Sequence, residues 1–146
     1  MNQFNKFHSA ISIEKLSDNF FKITPDRDYF VGNTPHGGYL KAVMNKALVS
    51  CLPHSTSISS SIQYLERTEA KDAFLEVDIL KVGRGSSSGF VKLIQDDKVR
   101  ATLTGTCSDF EYMKGFDGLN TDMPEIFNED NHNQYKSLND VKVSKG

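Results

Sequence analysis

The residues best placed to do chemistry lie in the stretch 31–51, VGNTPHGGYLKAVMNKALVSC. His36 precedes the paired Gly37 and Gly38, which fall where a loop of Gly32, Asn33, Thr34 and Pro35 passes into a helical pattern. The first amides of a helix have no intrahelical acceptor, and glycines leave them uncovered, so this junction can donate to a carbonyl oxygen or a phosphate. The same glycines serve equally well in a tight loop that lets a helix lie close against a sheet. His36 can orient a substrate or donate from the loop, or simply shape the turn. Asn45, further along the helix, can position a water, or be an ordinary polar helix residue. Downstream, Ser57, Ser59, Ser61 and Gln63 share one parity of a strand, a small polar face that suits either a polar groove or close packing under a helix. Gly83, Arg84, Gly85 and Ser86 form a turn whose guanidinium and amides can grip a phosphate or face solvent. Its spacing is not that of a Walker loop.

The elements that must carry these residues follow from periodicity. Leu40, Val43, Met44, Ala47, Leu48 and Cys51 recur at three and four residues, which predicts a helix of three to four turns with one apolar stripe. Pro53 ends it. Before it, residues 9–14 and 19–23 read as two short strands of a hairpin turned by Ser17, Asp18 and Asn19. After it come strands at 55–66, 73–82, 89–95 and 99–108, separated by charged or glycine-rich turns, including Asp96–Asp97. Four strands with no helix between them exclude a doubly wound parallel sheet and predict an antiparallel sheet wrapped around one helix, an α+β class. A second copy of the chain would cover or extend what one helix leaves open.

Composition narrows the functional classes. The 146 residues fit one domain, and 38% hydrophobic content supports a core. With 17 Lys plus Arg against 19 Asp plus Glu and no basic run, nucleic acid is not the expected partner. Nothing in the sequence has the apolar length of a signal or membrane span, so a soluble cytoplasmic protein is expected. Cys51 and Cys107 read as buried thiols rather than a disulfide, and His8, His54 and His132 form no local metal-ligand motif, so no metal is expected.

The ordered set HGGYLKAVMNKAL, SISSSIQYLERTE, VGRGSSSGFVKLIQDD and VRATLTGTCSDF resembles the acyl-CoA thioesterase-like hot-dog superfamily, nearest to the N-terminal unit of acyl-CoA thioesterase II type proteins, over residues 7–110. The resemblance implies a hot-dog domain, here residues 1–112, and two units side by side as a homodimer, a higher even-numbered oligomer, or a complex with a partner carrying the other half; from Glu111 the alternation decays, so 113–146 are expected to form a C-terminal surface extension, partly disordered or with a short helix. The resemblance further implies an acyl-CoA or acyl-carrier thioester as substrate, with coenzyme A as part of it and no separate cofactor. The carbonyl would be polarised at His36, Gly37 and Gly38. Asn45 matches the position where single-unit relatives carry a carboxylate; the helix has no Asp or Glu, so a carboxylate would come from Glu66, Asp26, Asp28 or another subunit. Asn33, Ser59, Ser61, Gln63, Arg84, Gly85 and Ser86 are the substrate-binding candidates. The alternative is a noncatalytic acyl-CoA or acyl-carrier binding protein.

Overall fold

The computed structural model describes residues 3–112 and 115. In chain order the elements are α1 (Gln3–Ala10), β1 (Glu14–Ser17), β2 (Phe20–Ile23), a 3-10 turn (Arg27–Tyr29), β3 (Phe30–Val31), β4 (Thr34–Pro35), α2 (Gly37–Cys51), β5 (Thr56–Tyr64), β6 (Ala73–Val82), β7 (Ser87–Gln95), β8 (Lys98–Ser108) and a final 3-10 turn (Phe110–Tyr112). They fall in one compact unit, Met1–Lys114. Six strands form one antiparallel sheet in the order β1-β2-β6-β7-β8-β5, and α2 packs on β5, β6, β7 and β8. The expected α+β arrangement is thus observed. The extension expected at 113–146 lies, apart from Gly115, outside the described residues.

The predicted stripe is the helix's buried face: Leu40, Val43, Met44, Ala47 and Leu48 are at most 2% exposed. Leu75 and Val77 on β6, Val91 and Leu93 on β7, and Ala101 and Leu103 on β8 meet it, as strand alternation requires. The turns follow their sequence signals. Gly32 takes φ +61° in the two-residue loop joining β3 to β4, and Asp96 and Asp97 take +53° and +58° between β7 and β8. Positive φ at both central residues matches the right-handed twist of a two-residue hairpin, and short polar side chains tolerate it.

One expectation fails. Residues 9–14 are not a strand: α1 runs to Ala10, and the hairpin strand begins only at Glu14. The Ile11/Ile13 alternation spans too few residues to decide its own conformation, and tertiary contacts decide it. The Tyr39 hydroxyl donates to Ala10 O (2.9 Å) and accepts Asp26 N–H (3.1 Å), tying the end of α1 to the first turn of α2. Burial pushes the Tyr39 phenol above its ordinary value, and its ring stacks on Tyr29. Ile11 and Ile13 then pack on the core from outside the sheet.

Gln95, 2% exposed, organises the crossing from β5 to β6. Its Oε1 accepts Glu69 N–H at 2.8 Å and its Nε2 donates to the carbonyls of Glu69, Lys71 and Asp72 at 3.1–3.3 Å. Gln95→Leu keeps the volume but takes the side-chain partner from Glu69 N–H and from the Lys71 and Asp72 carbonyls, leaving Glu69 O with Lys71 N–H, so a loss of about 2 kcal/mol is expected. A denaturant midpoint equal to wild type would show that the crossing holds without it.

Candidate active site

Residues Thr34–Pro35 of β4, Gly37, Leu40 and the segment 64–68 enclose a cleft of about 460 Å³ at the amino end of α2. The loop reaches this position because His36 N–H donates to Tyr29 O (2.8 Å) and Arg67 Nε donates to Thr34 Oγ1 (2.6 Å). His36 is the N-cap of α2. Its Nδ1 accepts Gly38 N–H at 3.1 Å, which places the proton of the neutral ring on Nε2. The two glycines therefore differ. Gly38's amide is committed to His36, whereas Gly37's amide has no acceptor among the described residues. No acidic side chain stands in the first turn of α2, so the positive helix end is left unneutralised.

The residue that sequence reasoning missed here is Tyr64. Its hydroxyl donates to Gly37 O at 2.6 Å, and burial raises its phenol above the ordinary value. Both glycines are shaped by side-chain contact: a Cβ on Gly37 would stand 2.7 Å from the Tyr64 hydroxyl, and one on Gly38 would stand 3.2 Å from the His36 ring. The missed signal was the tyrosine's place at the end of a serine strand, where a phenol can reach the neighbouring loop.

A bulge between Ser57 and Ser59 redistributes the serine strand. Ser57, Ser60, Ile62 and Tyr64 pair with the buried Cys107, Gly105, Leu103 and Ala101 and so face α2. Ser59, Ser61 and Gln63 pair with Thr106, Thr104 and Thr102 and face away from the helix, exposed. The extra residue, Ile58, reverses the parity that strict alternation assigns to Ser57 relative to Ser59. Ser57 Oγ donates to Asn45 Oδ1 at 3.0 Å, so Asn45 spends its acceptor on β5 and keeps its amide donors. Eight residues separate Asn45 from Gly37, about 12 Å of helix, and within one chain they do not form one centre.

Arg84, Gly85 and Ser86 lie at the other end. Their turn is anchored beside the carboxyl end of α2, where His54 Nε2 donates to Arg84 O (3.3 Å), Ser87 Oγ to His54 Nδ1 (2.8 Å), and Ser108 Oγ to Gly85 O (2.6 Å). The length of α2, on the order of 20 Å, separates this turn from Gly37. Asn33 stands near the cleft but lines an adjoining pocket. Of the three carboxylates considered, Glu66 lines the cleft and is paired with Arg100 at 2.5 Å, Asp28 pairs with Lys6 at 2.6 Å, and Asp26 caps the 3-10 turn by accepting Asp28 N–H.

Asp109 ties the start of β5 to the end of β8 by accepting both Ser55 N–H and Ser55 Oγ at 2.8 Å. These bonds, the backbone one first, hold its carboxyl below the ordinary carboxylate value. Between the folded and unfolded values the unfolded chain binds more protons, so this stabilisation is full above the unfolded value and is lost as pH falls through the folded one. Asp109→Asn is expected to flatten stability against pH below about pH 4, and urea titrations across that range check it; an unchanged slope would overturn the assignment.

A family model described as the acyl-CoA thioesterase N-terminal domain matches residues 25–108, more than half of the chain. The chain belongs to the acyl-CoA thioesterase N-terminal domain family. The cleft, α2 and the four long strands all lie inside the matched span of this thioesterase domain. Solved structures agree on the fold. The tesB protein of Mycobacterium avium subspecies paratuberculosis superposes with a TM-score of 0.72 at 18% identity, covering 88% of this chain and 50% of that one. A hot-dog protein of unknown function from Alicyclobacillus acidocaldarius gives 0.74 at 17% identity, covering 86% and 47%. Zebra fish thioesterase superfamily member 2 gives 0.58 at 19% identity, covering 72% of this chain and 85% of that one. The thioesterase domain here thus has the hot-dog fold and spans about half the length of the first two structures. Comparison with curated proteins returns no match. No helix among the described residues is long and apolar enough to cross a membrane.

Proposed function

We propose that this thioesterase domain hydrolyses an acyl thioester of coenzyme A or of an acyl carrier, with the carbonyl oxygen held by Gly37 N–H at the amino end of α2 and water as the attacking group. The observation that carries this reading is the uncommitted amide of Gly37, a residue that lines the cleft, beside a Gly38 amide bonded to His36. An amide fixed in place before reaction stabilises the oxyanion that develops on the thioester carbonyl, and such a donor contributes a rate factor of roughly 10²–10³. His36 acts as the cap: its carbonyl accepts Leu40 N–H at 3.1 Å, which holds the His36–Gly37 peptide that carries the Gly37 N–H, while the Tyr64 hydroxyl on Gly37 O and His36 Nδ1 on Gly38 N–H hold the next peptide.

The attacking water needs a partner. Asn45 offers amide donors but no base, and it meets a Gly37 amide only if the two come from different units. Two units side by side, as a homodimer or larger even-numbered assembly of a cytoplasmic protein, supply that arrangement, and the open edge of β5 is available for it. Coenzyme A enters as part of the substrate, with no separate cofactor. Ser59, Ser61 and Gln63, on the outer face, and the Arg84–Gly85–Ser86 turn meet the same substrate only across such an assembly or along the length of the helix.

A specific observation favours the second reading, a noncatalytic acyl-CoA or acyl-carrier binding protein. The helix α2 carries no carboxylate, and Glu66, the carboxylate lining the cleft among the described residues, is held by Arg100. Thiol release from an acyl-CoA panel by the purified chain, beside folded Gly38→Val, separates the two. Turnover that collapses in the variant supports hydrolysis; saturable acyl-CoA binding without turnover supports the binding module.

A further inference from the structure

Next to the cleft, and sharing Arg67 with it, lies a pocket of about 390 Å³ lined by Arg27, Asn33, Arg67, Glu69, Ala70 and Lys71. Its charges are not balanced internally. Lys71 is neutralised twice, by Glu69 at 3.2 Å and Asp96 at 2.6 Å. Among the described residues no carboxylate lies within 4 Å of either guanidinium, although Asp26 and Asp28 are close to Arg27 in sequence; the one caps a turn and the other pairs with Lys6. Both guanidiniums are nonetheless positioned. Arg27 sits 5.1 Å over the Phe30 ring, and Arg67 spends Nε on Thr34, which leaves its two terminal nitrogens to donate elsewhere. Two guanidiniums without a carboxylate partner, lining one pocket with the Asn33 amide, are a donor set suited to a phosphate oxyanion.

We propose that this pocket is the subsite for a phosphate of the substrate's carrier group, with Arg27 and Arg67 as its binding residues. The proposal rests on the acyl-thioester reading of the adjoining cleft and deepens it. Arg67 borders both cavities, so a substrate whose thioester lies at Gly37 directs its phosphorylated arm past Thr34 into the pocket. That phosphate belongs either to the nucleotide end of coenzyme A or to the phosphopantetheine arm that coenzyme A shares with acyl carriers.

Calorimetric binding of coenzyme A, 4′-phosphopantetheine and pantetheine to the purified chain tests this, with Arg27→Gln, Arg67→Gln and, on β1 at the sheet edge opposite β5, Lys15→Gln. Kd for coenzyme A is expected to weaken roughly ten-fold or more in each pocket variant and to stay at the wild-type value in Lys15→Gln, as loss of a charge-assisted hydrogen bond implies. Weakening should fade at high salt, since both arginines are exposed. A loss shared by phosphopantetheine assigns the pantetheine phosphate; a loss confined to coenzyme A assigns the nucleotide end. No preference for the phosphorylated ligands, unchanged Kd in both pocket variants, or an equal loss in Lys15→Gln overturns the proposal. Unchanged Kd with thiol release intact removes the arginine site alone, whereas arginine-dependent binding without thiol release removes hydrolysis alone.

Discussion

Gly105→Ala should lower the unfolding free energy by about 2 kcal/mol, and Gly105→Val by on the order of 3 kcal/mol. Gly105 on β8 and Gly89 on β7 are register partners directly under α2. A Cβ on Gly105 would stand 2.5 Å from Leu48 Cδ2, and one on Gly89 would stand 2.6 Å from Leu48 Cδ1. Leu48 is fully buried, so its methyls have no free space to retreat into. The backbone closes the other side, with Ser59 O at 3.3 Å from the Gly105 position and Asp78 O at 3.1 Å from the Gly89 position. Part of the alanine cost is offset by the stiffer unfolded chain. Leu48→Ala alone should cost about 3 kcal/mol by leaving a cavity, and the Leu48→Ala/Gly105→Ala pair should be little worse than Leu48→Ala, because the added methyl occupies space the leucine vacated. Urea unfolding of the four proteins checks this; strictly additive losses would mean the two glycines are not the socket for Leu48.

Gly38→Val should reduce thiol release by roughly 10²–10³ while the protein remains folded. The valine methyls meet the His36 ring, already 3.2 Å from the Cβ position, and push it off the Gly38 amide. Loss of an N-cap costs stability only about 1 kcal/mol. Its larger effect runs through His36: as the displaced ring shifts the cap residue, the His36–Gly37 peptide, held by Leu40 N–H on His36 O, turns, and the Gly37 N–H it carries loses the fixed direction of a preorganised donor. The expected pattern is therefore a small fall in Tm with a large fall in turnover. A variant that turns over acyl-CoA at the wild-type rate would remove this loop from the chemistry.

The repeats of the sequence were enough for α2, for β6 to β8 and for the turns at Gly32 and Asp96–Asp97. Helical and strand periods are local, and each long element carries many positions that agree with one another. That same pattern, with the serine-rich strand and the HGG junction, pointed to the family. Three matters depended on the folded chain. The face of Ser59, Ser61 and Gln63 was decided by one extra residue at Ile58, and a bulge has no periodicity of its own to read. The glycines that let helix and sheet approach closely are Gly89 and Gly105, opposite each other across two strands. Sequence made His36, Gly37 and Gly38 the candidate site, but only tertiary contact gave Gly38's amide to the histidine, left Gly37's amide uncommitted, and brought Tyr64, 27 residues later, onto the same turn. Hydrogen bonds and steric contacts between distant residues are set by register and packing, which no single stretch of this chain contains.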